Sequence, residues 1–187
     1  MDISDAILTT VKAAGGEIIG RTAIQKLIYF ESIFGLVEAN YKPHFYGPYS
    51  SDVSEGIQEL TELDFLKEEI ETSKTTGFLV PNDWRRYRYE LDSDGDEVVS
   101  IINKDSKDEY DKIFKIVELC VKTVTIDVRI LSWAAKVNLI RSNQGKPMTK
   151  DEIKSTAESF GWKITEPQFD NAIQLLKELE HCEISNG

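Results

Sequence analysis

The stretch that decides the predicted fold is SSDVSEGIQELTELDFLKEEI at residues 50–70, followed by YRYEL at residues 87–91. A cap at Ser50 or Ser51 and apolar side chains at helical spacing predict a helix that ends near Leu63. Residues 66–70 and 87–91 predict the two strands of a hairpin, because the second alternates polar and apolar side chains. A long polar loop joins these strands.

Two further helices are predicted before this stretch. Ser4 is placed to cap the first helix, and residues 17–20 are interpreted as a short linker. Thr22 and Gln25 have the spacing of a capping box that opens the second helix. Three helices followed by a hairpin is the element order of a winged helix. We therefore predict a mainly α fold with a small β-hairpin, in which residues 1–103 form a winged-helix-like domain with a trailing helix.

The rest of the chain, residues 104–187, predicts a helical domain. Apolar residues recur at helical spacing over residues 106–121 and 126–139. Thr149 and Glu152 form a second capping box, and Pro167 falls in the first turn of a last helix. This pattern indicates a second helix-turn-helix-like unit, packed on the first domain because no low-complexity linker separates them.

Composition and charge limit the classes of function and partner that we expect for this chain. The chain has 187 residues, 22 Lys plus Arg and 33 Asp plus Glu, for a net charge of −11. A field of this sign disfavours nonspecific binding to phosphate backbones and favours a basic partner. The sequence has no apolar run long enough to span a bilayer and no secretory signal, so a cytoplasmic protein without a membrane partner is expected. Cys120 and Cys182 are interpreted as reduced thiols, although one disulfide is formally open.

The sequence motifs do not indicate catalysis, a cofactor site or a metal site. The sequence contains no G-x-S-x-G, P-loop, G-x-G-x-x-G or H-E-x-x-H pattern. Asp92 to Asp96 resembles the start of a calcium loop, but the twelfth position is Asn103 rather than glutamate. This segment is therefore interpreted as the cap of a helix. We predict a protein that is not an enzyme and has no cofactor or metal site.

Two stretches together carry a family resemblance: GRTAIQKLIYF at residues 20–30 and HFYGPYS at residues 44–50. They resemble the YwgA-like family of prokaryotic proteins and, more distantly, the Panacea domain of SocA-like antitoxins, which has Leu-Gln-Lys-Leu-Leu-Tyr and Tyr-Gly-Pro signatures. The resemblance covers roughly residues 18–91, and departs from the Panacea pattern at Ile24 and Tyr49. The Panacea resemblance implies an antitoxin that binds its toxin or delivers it to a protease. Neither family supplies catalytic residues.

The Tyr46-Gly47-Pro48-Tyr49 loop is the first candidate site. Tyr46 and Tyr49 suit a recognition surface, since tyrosines anchor interfaces at a low entropy cost. The alternative is that the aromatic rings fill core beside a rigid turn. In either case, we expect the loop to pack against the Gln25–Tyr29 face of the second helix.

Two charged surfaces are candidate partner sites, and their signs are opposite. The predicted third helix has no Lys or Arg, and its carboxylates would attract a basic protein partner rather than read DNA: Asp52, Glu55, Glu59 and Glu62. The predicted wing carries basic side chains that suit phosphates or an acidic partner: Lys74, Arg85, Arg86 and Arg88. The alternative for the wing is a solvated hairpin edge whose charges discourage strand pairing.

The predicted function is a non-enzymatic regulatory adaptor or antitoxin-like protein that binds another protein. The alternative is a winged-helix transcription regulator that contacts nucleic acid through the wing only. We favour the acidic helix over the wing as the partner surface, because the net charge reinforces its field. The sequence leaves the oligomeric state open.

Overall fold

Eight helices dominate the part of the chain that the computed structural model describes, which is residues 1–74, 83–124, 127–145 and 147–181. They are α1 (Ile3–Ala13), α2 (Arg21–Ile33), α3 (Ser51–Glu62), α4 (Ser93–Asp105), α5 (Lys107–Val124), α6 (Val128–Gln144), α7 (Lys150–Ser159) and α8 (Glu166–His181). Three strands, β1 (Glu17–Ile19), β2 (Leu66–Lys74) and β3 (Asp83–Leu91), pair in the antiparallel order β1-β3-β2. The prediction of a mainly helical protein with a small sheet is confirmed. None of the described helices is long and apolar enough to cross a bilayer.

Side-chain caps fix where several helices begin, as the sequence predicts. Ser50 caps α3, and its hydroxyl accepts a hydrogen bond from the Val53 amide at 3.4 Å. The capping box of α7 is complete, with Thr149 and Glu152 each bonded to the other's backbone amide. The predicted cap of α1 is wrong. Asp2 fills that role, because its carboxylate reaches a first-turn amide, and Ser4 lies within the helix.

The start of α2 and the segment before it differ from the prediction. Residues 17–19 are not a linker but the edge strand β1, with Ile18 opposite Tyr89. The Gly20 amide still belongs to the sheet, since it donates to the Tyr87 carbonyl at 2.7 Å. The chain therefore enters α2 directly from the sheet, and Thr22 lies inside the helix instead of capping it. A strand of three residues is too short to show alternation in the sequence.

The predicted hairpin is confirmed. β2 and β3 pair over their whole length, from Leu66 opposite Leu91 to Lys74 opposite Asp83. Alternation places Leu66 and Tyr89 on the face towards the helices, where both are buried. The loop that joins the strands, residues 75–82, lies outside the described residues.

Helix α2 connects the two halves of the chain. Every residue from Ala23 to Glu31 is buried, and the helix packs against α1, α3, α5 and α6. Helix α6 packs in turn against α7 and α8, and the buried apolar residues form one continuous cluster. The predicted domain boundary after residue 103 falls within α4, and the division into two domains stays a prediction.

The cysteines show no pairing within the described residues. Cys120 is a free, buried thiol in α5, where burial and then the nearby Glu31 raise its pKa to about 12. It acts as a small apolar side chain in the core, as predicted. Cys182 lies outside the described residues.

Candidate functional site

The chain between α2 and α3 ends in a tight hairpin over residues 42–49, which we call the aromatic hairpin. Lys42 and Tyr49 exchange two backbone hydrogen bonds, each of 2.9 Å. His44 and Gly47 exchange a second pair, at 3.1 and 2.9 Å, around a two-residue turn. Gly47 has a φ of +97°, a conformation that glycine adopts without strain.

Two buried polar side chains of α2 hold the base of the aromatic hairpin. The Gln25 amide donates to the Ser50 carbonyl at 2.8 Å and accepts from the Ser50 amide at 3.0 Å. The Lys26 ammonium group donates to the Pro48 carbonyl. The prediction that the loop packs against this face of α2 is confirmed. Gln25 thus provides a partner for the buried Ser50 amide, and Lys26 provides one for the buried Pro48 carbonyl.

Helix α6 closes the other side of the hairpin backbone. A Cβ atom on Gly47 would lie 3.1 Å from Lys136 Cγ, 3.3 Å from the Ser132 carbonyl oxygen and 3.4 Å from Lys26 Cε. The chain thus passes between two lysine side chains at a point where only glycine fits without displacing a neighbour.

The segment between α7 and α8 supplies a third support. The indole N–H of Trp162 donates to the His44 carbonyl at 3.1 Å. The Lys136 ammonium nitrogen lies 4.2 Å from the centre of the Trp133 ring and 5.1 Å from that of Trp162, so both rings stabilise its charge. Elements from both halves of the chain therefore fix one hairpin.

Burial changes the titration of both lysines. Lys26 is 2% exposed, and burial, together with the positive charge of Lys136, lowers its pKa to about 7. Burial alone lowers the pKa of Lys136 to about 8. Lys26 therefore releases its proton more readily than an exposed lysine, and either form can donate to Pro48.

The tip of the hairpin presents aromatic rings to solvent. Phe45 is 70% exposed, Tyr46 57% and Tyr49 38%. The centres of the Phe45 and Tyr46 rings are 5.0 Å apart in an edge-to-face contact, and His44 lies 5.4 Å from Tyr49. The two tyrosines therefore lie on the surface rather than in the core, on a backbone that buried groups hold in place.

A small cavity lies beneath these rings, between the hairpin, α2 and α3. Its volume is about 130 Å³, and its lining includes Arg21, Lys26, His44, Tyr46 and Tyr49. Each of these side chains can donate a hydrogen bond.

Arg21 is already paired at the edge of this cavity. Its guanidinium group donates to Glu68 at 2.8 Å and to the Tyr89 hydroxyl at 2.5 Å, and that hydroxyl donates to Glu68 at 2.5 Å. The carboxylate of Glu68 therefore neutralises the charge of Arg21.

A larger open groove of about 690 Å³ lies along α5 and α8. Its lining combines apolar side chains such as Leu119 and Ile173 with an ion pair between Lys150 and Asp170 at 3.1 Å. None of the described residues that line the groove is a buried polar residue. We place the candidate site at the aromatic hairpin, where buried polar groups converge.

The acidic residues predicted to meet a partner all lie on α3, but they are not equivalent. Glu55 and Glu59 are exposed. Asp52 accepts hydrogen bonds from the backbone and side chain of Asn40 at 3.1 and 3.2 Å. Glu62 accepts one from the side chain of Gln58, one turn earlier in the helix. Asp52 thus also orders the chain that leads into the hairpin.

The structure does not bring the predicted basic residues of the wing into one patch. Arg86 and Arg88 share one face of β3, and Arg85 lies on the other. Arg88 pairs with Glu17 at 2.8 Å and with Glu71 at 3.6 Å, so its charge is neutralised within the sheet. The side chain of Lys74 lies outside the described part of the chain.

The segment that resembles a calcium loop begins α4. Asp92 is the N-cap and accepts from the Ser93 amide, which confirms the interpretation as a helix cap. Among the described residues, no group of three or more His, Cys, Asp or Glu side chains is placed to hold a metal ion.

Sequence reasoning misses three residues of the site: Arg21, Lys136 and Trp162. Lys136 had a local signal, since it is a cation within the apolar run that forms α6. Trp162 had none, because its bond to His44 joins residues that are 118 positions apart.

Sequence comparison places the chain in a family. No protein-family model matches it. The chain is 30% identical over 177 residues to the uncharacterised protein YwgA of Bacillus subtilis (strain 168), an alignment that covers 94% of this chain and 95% of that protein. The chain belongs to the YwgA-like family. Its similarity to a YwgA-like protein therefore extends well beyond the signature residues 18–91.

Proposed function

We propose that this YwgA-like protein is a non-enzymatic regulatory adaptor, antitoxin-like in its mode of action, that binds another protein through the aromatic hairpin. The observation that carries this proposal is the exposure of Phe45, Tyr46 and Tyr49 on a backbone held by buried polar side chains. Exposed aromatic side chains are the usual anchors of protein interfaces.

The fixed backbone of the hairpin is a second feature that supports the proposed binding, beside the exposure of its aromatic rings. A flexible loop loses conformational entropy when it binds, and that loss reduces affinity. Here Gln25, Lys26 and Trp162 fix the backbone before any partner arrives. The free energy of contact with the rings is therefore available for affinity.

The acidic side chains of α3 are proposed to form the rim of this surface. Glu55 and Glu59 are exposed on the helix that directly follows the hairpin, and the net charge of −11 strengthens their field. Rim charges chiefly raise the association rate with a partner of opposite sign. A basic protein surface is accordingly the expected counterpart of α3, and the distant Panacea resemblance supports a toxin in that role.

We further infer a winged-helix-like arrangement for residues 1–103, with α4 as its trailing helix. The support is the element order α1-β1-α2-α3-β2-β3 together with the strand order β1-β3-β2. In a DNA-reading member of that class, α3 would enter the major groove. Exposed Glu55 and Glu59 would then meet phosphates, so we propose that this protein uses the scaffold to bind protein.

The proposal is tested by capturing partners with the tagged full-length chain and quantifying them against hairpin variants. We expect a specific partner that wild type retains and the double variant Phe45→Ser, Tyr46→Ser loses, with affinity at least tenfold weaker. Ile101→Ser is the matched control, since Ile101 is 55% exposed on α4, and it should leave binding unchanged. Equal binding by the hairpin variant and the control would reject the hairpin as the interface.

The DNA-binding alternative has its own measurement. Gel shifts at near-physiological salt should show no tight complex with the wild-type chain. Tight, salt-sensitive binding that disappears in Arg85→Ser, Arg86→Ser would instead establish the transcription-regulator reading. Arg88 is left intact, because its ion pairs stabilise the sheet.

A further inference from the structure

The cavity beneath the aromatic hairpin has an unbalanced charge. Its lining contains the guanidinium group of Arg21 and the amine of Lys26. Glu68 neutralises the charge of Arg21. Among the described residues, no carboxylate pairs with Lys26, and the charge that lowers its pKa is that of the cation Lys136. A charged Lys26 is therefore buried without a counterion.

The hydrogen-bonding groups around Lys26 point to the missing partner. A lysine ammonium group has three donors, and the Pro48 carbonyl accepts one of them. His44, Tyr46 and Tyr49 border the same space and can also donate. A group that accepts several hydrogen bonds and carries one negative charge would satisfy both requirements.

The size of the cavity limits the occupant. A volume of about 130 Å³ is well below the roughly 300 to 1,000 Å³ of sites for drug-sized ligands. A single side-chain group fits, and a nucleotide or a larger cofactor does not. A carboxylate brings one charge, which matches the single unpaired cation, whereas a phosphate dianion would bring an excess negative charge into a buried site.

We propose that this cavity binds a carboxylate group, supplied by an acidic side chain of the partner segment that docks on the aromatic hairpin. The inference rests on the proposed function, because the same tyrosines that form the docking surface border the cavity. A partner with a basic surface towards α3 and one carboxylate at the hairpin would complement both features. Occupation of the cavity would pair Lys26 and favour its charged form.

Acetate is the probe, added to the full-length protein while lysine ¹³Cε resonances are recorded by NMR at constant ionic strength. We expect saturable shifts at Lys26 and a rise in its pKa on acetate binding, because an anion stabilises the ammonium form. Since binding then requires the proton, acetate affinity should fall about tenfold per pH unit well above the free pKa of about 7. No saturable shift at Lys26 overturns the proposal.

Variants locate the binding. Lys26→Met should weaken acetate binding at least tenfold, and the matched control Lys42→Met should change it less than twofold. Lys42 lies on the same hairpin and carries the same charge but does not line the cavity. Because Lys26→Met could unfold the hairpin, Tyr46→Phe, Tyr49→Phe provides a second test that removes two exposed hydroxyls only. We expect that variant to bind acetate several-fold more weakly, and undiminished affinity would overturn the assigned lining.

Other anions distinguish the chemistry. Inorganic phosphate at the same ionic strength should bind more weakly than acetate. Phosphate binding tenfold tighter than acetate would overturn the carboxylate assignment in favour of a phosphate site. Equal shifts with chloride would show nonspecific screening and would also overturn it.

The failure of this inference differs from the failure of the proposed function. Phe45 lies on the hairpin but does not line the cavity. A partner lost in Phe45→Ser but retained undiminished in Lys26→Met would leave the docking function intact and overturn the carboxylate. Loss of the partner in both variants, with competition by acetate against wild type, is the result we expect.

Discussion

At the scale of single residues, the carboxyl group of Glu31 is buried and bonded to the Thr10 hydroxyl. Glu31 is fully buried in α2, and the Thr10 hydroxyl lies 2.7 Å from both its carboxyl oxygen Oε1 and the Ala6 carbonyl oxygen. Burial, partly offset by the bond to Thr10, raises the pKa of Glu31 to about 8.

Glu31→Gln should change how stability depends on pH. The folded protein holds a proton on Glu31 between about pH 4.5 and 8 that the unfolded chain has released, so this group's contribution to stability is complete below that window and is lost as pH rises through it. The neutral amide cannot titrate. We expect denaturant unfolding to show similar stability for both proteins at pH 5 and a more stable variant at pH 9.

The comparison at pH 5 is the internal control, because it reports any packing cost of the amide. An equal loss of stability with pH in both proteins would show that Glu31 keeps no proton in the folded state.

At the scale of elements, the aromatic hairpin depends on Gly47. Its positive φ and the approach of Lys136 Cγ and the Ser132 carbonyl leave little room for a methyl group. Gly47→Ala should lower the free energy of unfolding by about 1 to 2 kcal/mol through backbone strain. Thermal and denaturant unfolding measure the change, and an unaltered melting temperature would mean that the turn does not need glycine.

The junction between α4 and the sheet depends on a second glycine. A Cβ atom on Gly95 would lie 2.3 Å from the backbone carbonyl oxygen of Phe65, which cannot move without shifting the strand. Alanine normally stabilises a helix relative to glycine, but overpacking reverses the sign here. We expect Gly95→Ala to cost about 2 kcal/mol or more in unfolding free energy.

Gly56→Ala in α3 is the matched control for this junction. Its added methyl would meet the ends of two isoleucine side chains, 3.0 and 3.1 Å away, which can adjust. Unfolding should therefore rank Gly95→Ala as clearly the less stable variant. The reverse order would contradict the close approach of α4 to Phe65, the residue directly before β2.

At the scale of the whole molecule, the C-terminal helices hold a site that the N-terminal sequence provides. The Trp162 indole bonds to His44, and the Tyr29 hydroxyl donates to Asn138 of α6 at 2.9 Å. Both bonds join segments more than 100 positions apart. Packing between the halves therefore orders the aromatic hairpin as well as burying the core.

Trp162→Phe should loosen the hairpin from a distance. It removes the bond to His44, which costs about 1 kcal/mol of stability and leaves the His44 carbonyl bonded only to the Gly47 amide within the hairpin. We expect faster amide hydrogen exchange at Gly47 and Tyr49 than in wild type, measured under native conditions. Trp133→Phe changes the other ring against Lys136 and is the control, for which hairpin exchange should stay close to wild type.

The sequence by itself determined the helices, the pairing of β2 with β3 and the packing of the Tyr46-Gly47-Pro48-Tyr49 loop on α2. Caps, glycines and apolar spacing carry this information because they act over a few residues. The Thr149–Glu152 box was assigned correctly on that basis, residues 92–96 contain the cap Asp92, and the cap of α3 is Ser50, one of the two serines that the sequence offered. The sequence did not predict β1, since three residues are too few to show the alternation of polar and apolar side chains. A strand of that length forms only by pairing with its partner β3.

Only the tertiary structure decided the chemistry of the candidate site. Sequence places Lys26 on α2, but its lowered pKa arises from burial and from Lys136, which lies 110 positions further along the chain. The same is true of Arg88. The sequence indicates a charge that could contact a partner, but the fold places it in an ion pair with Glu17. Charge and solvation depend on distances through space, which no local pattern encodes.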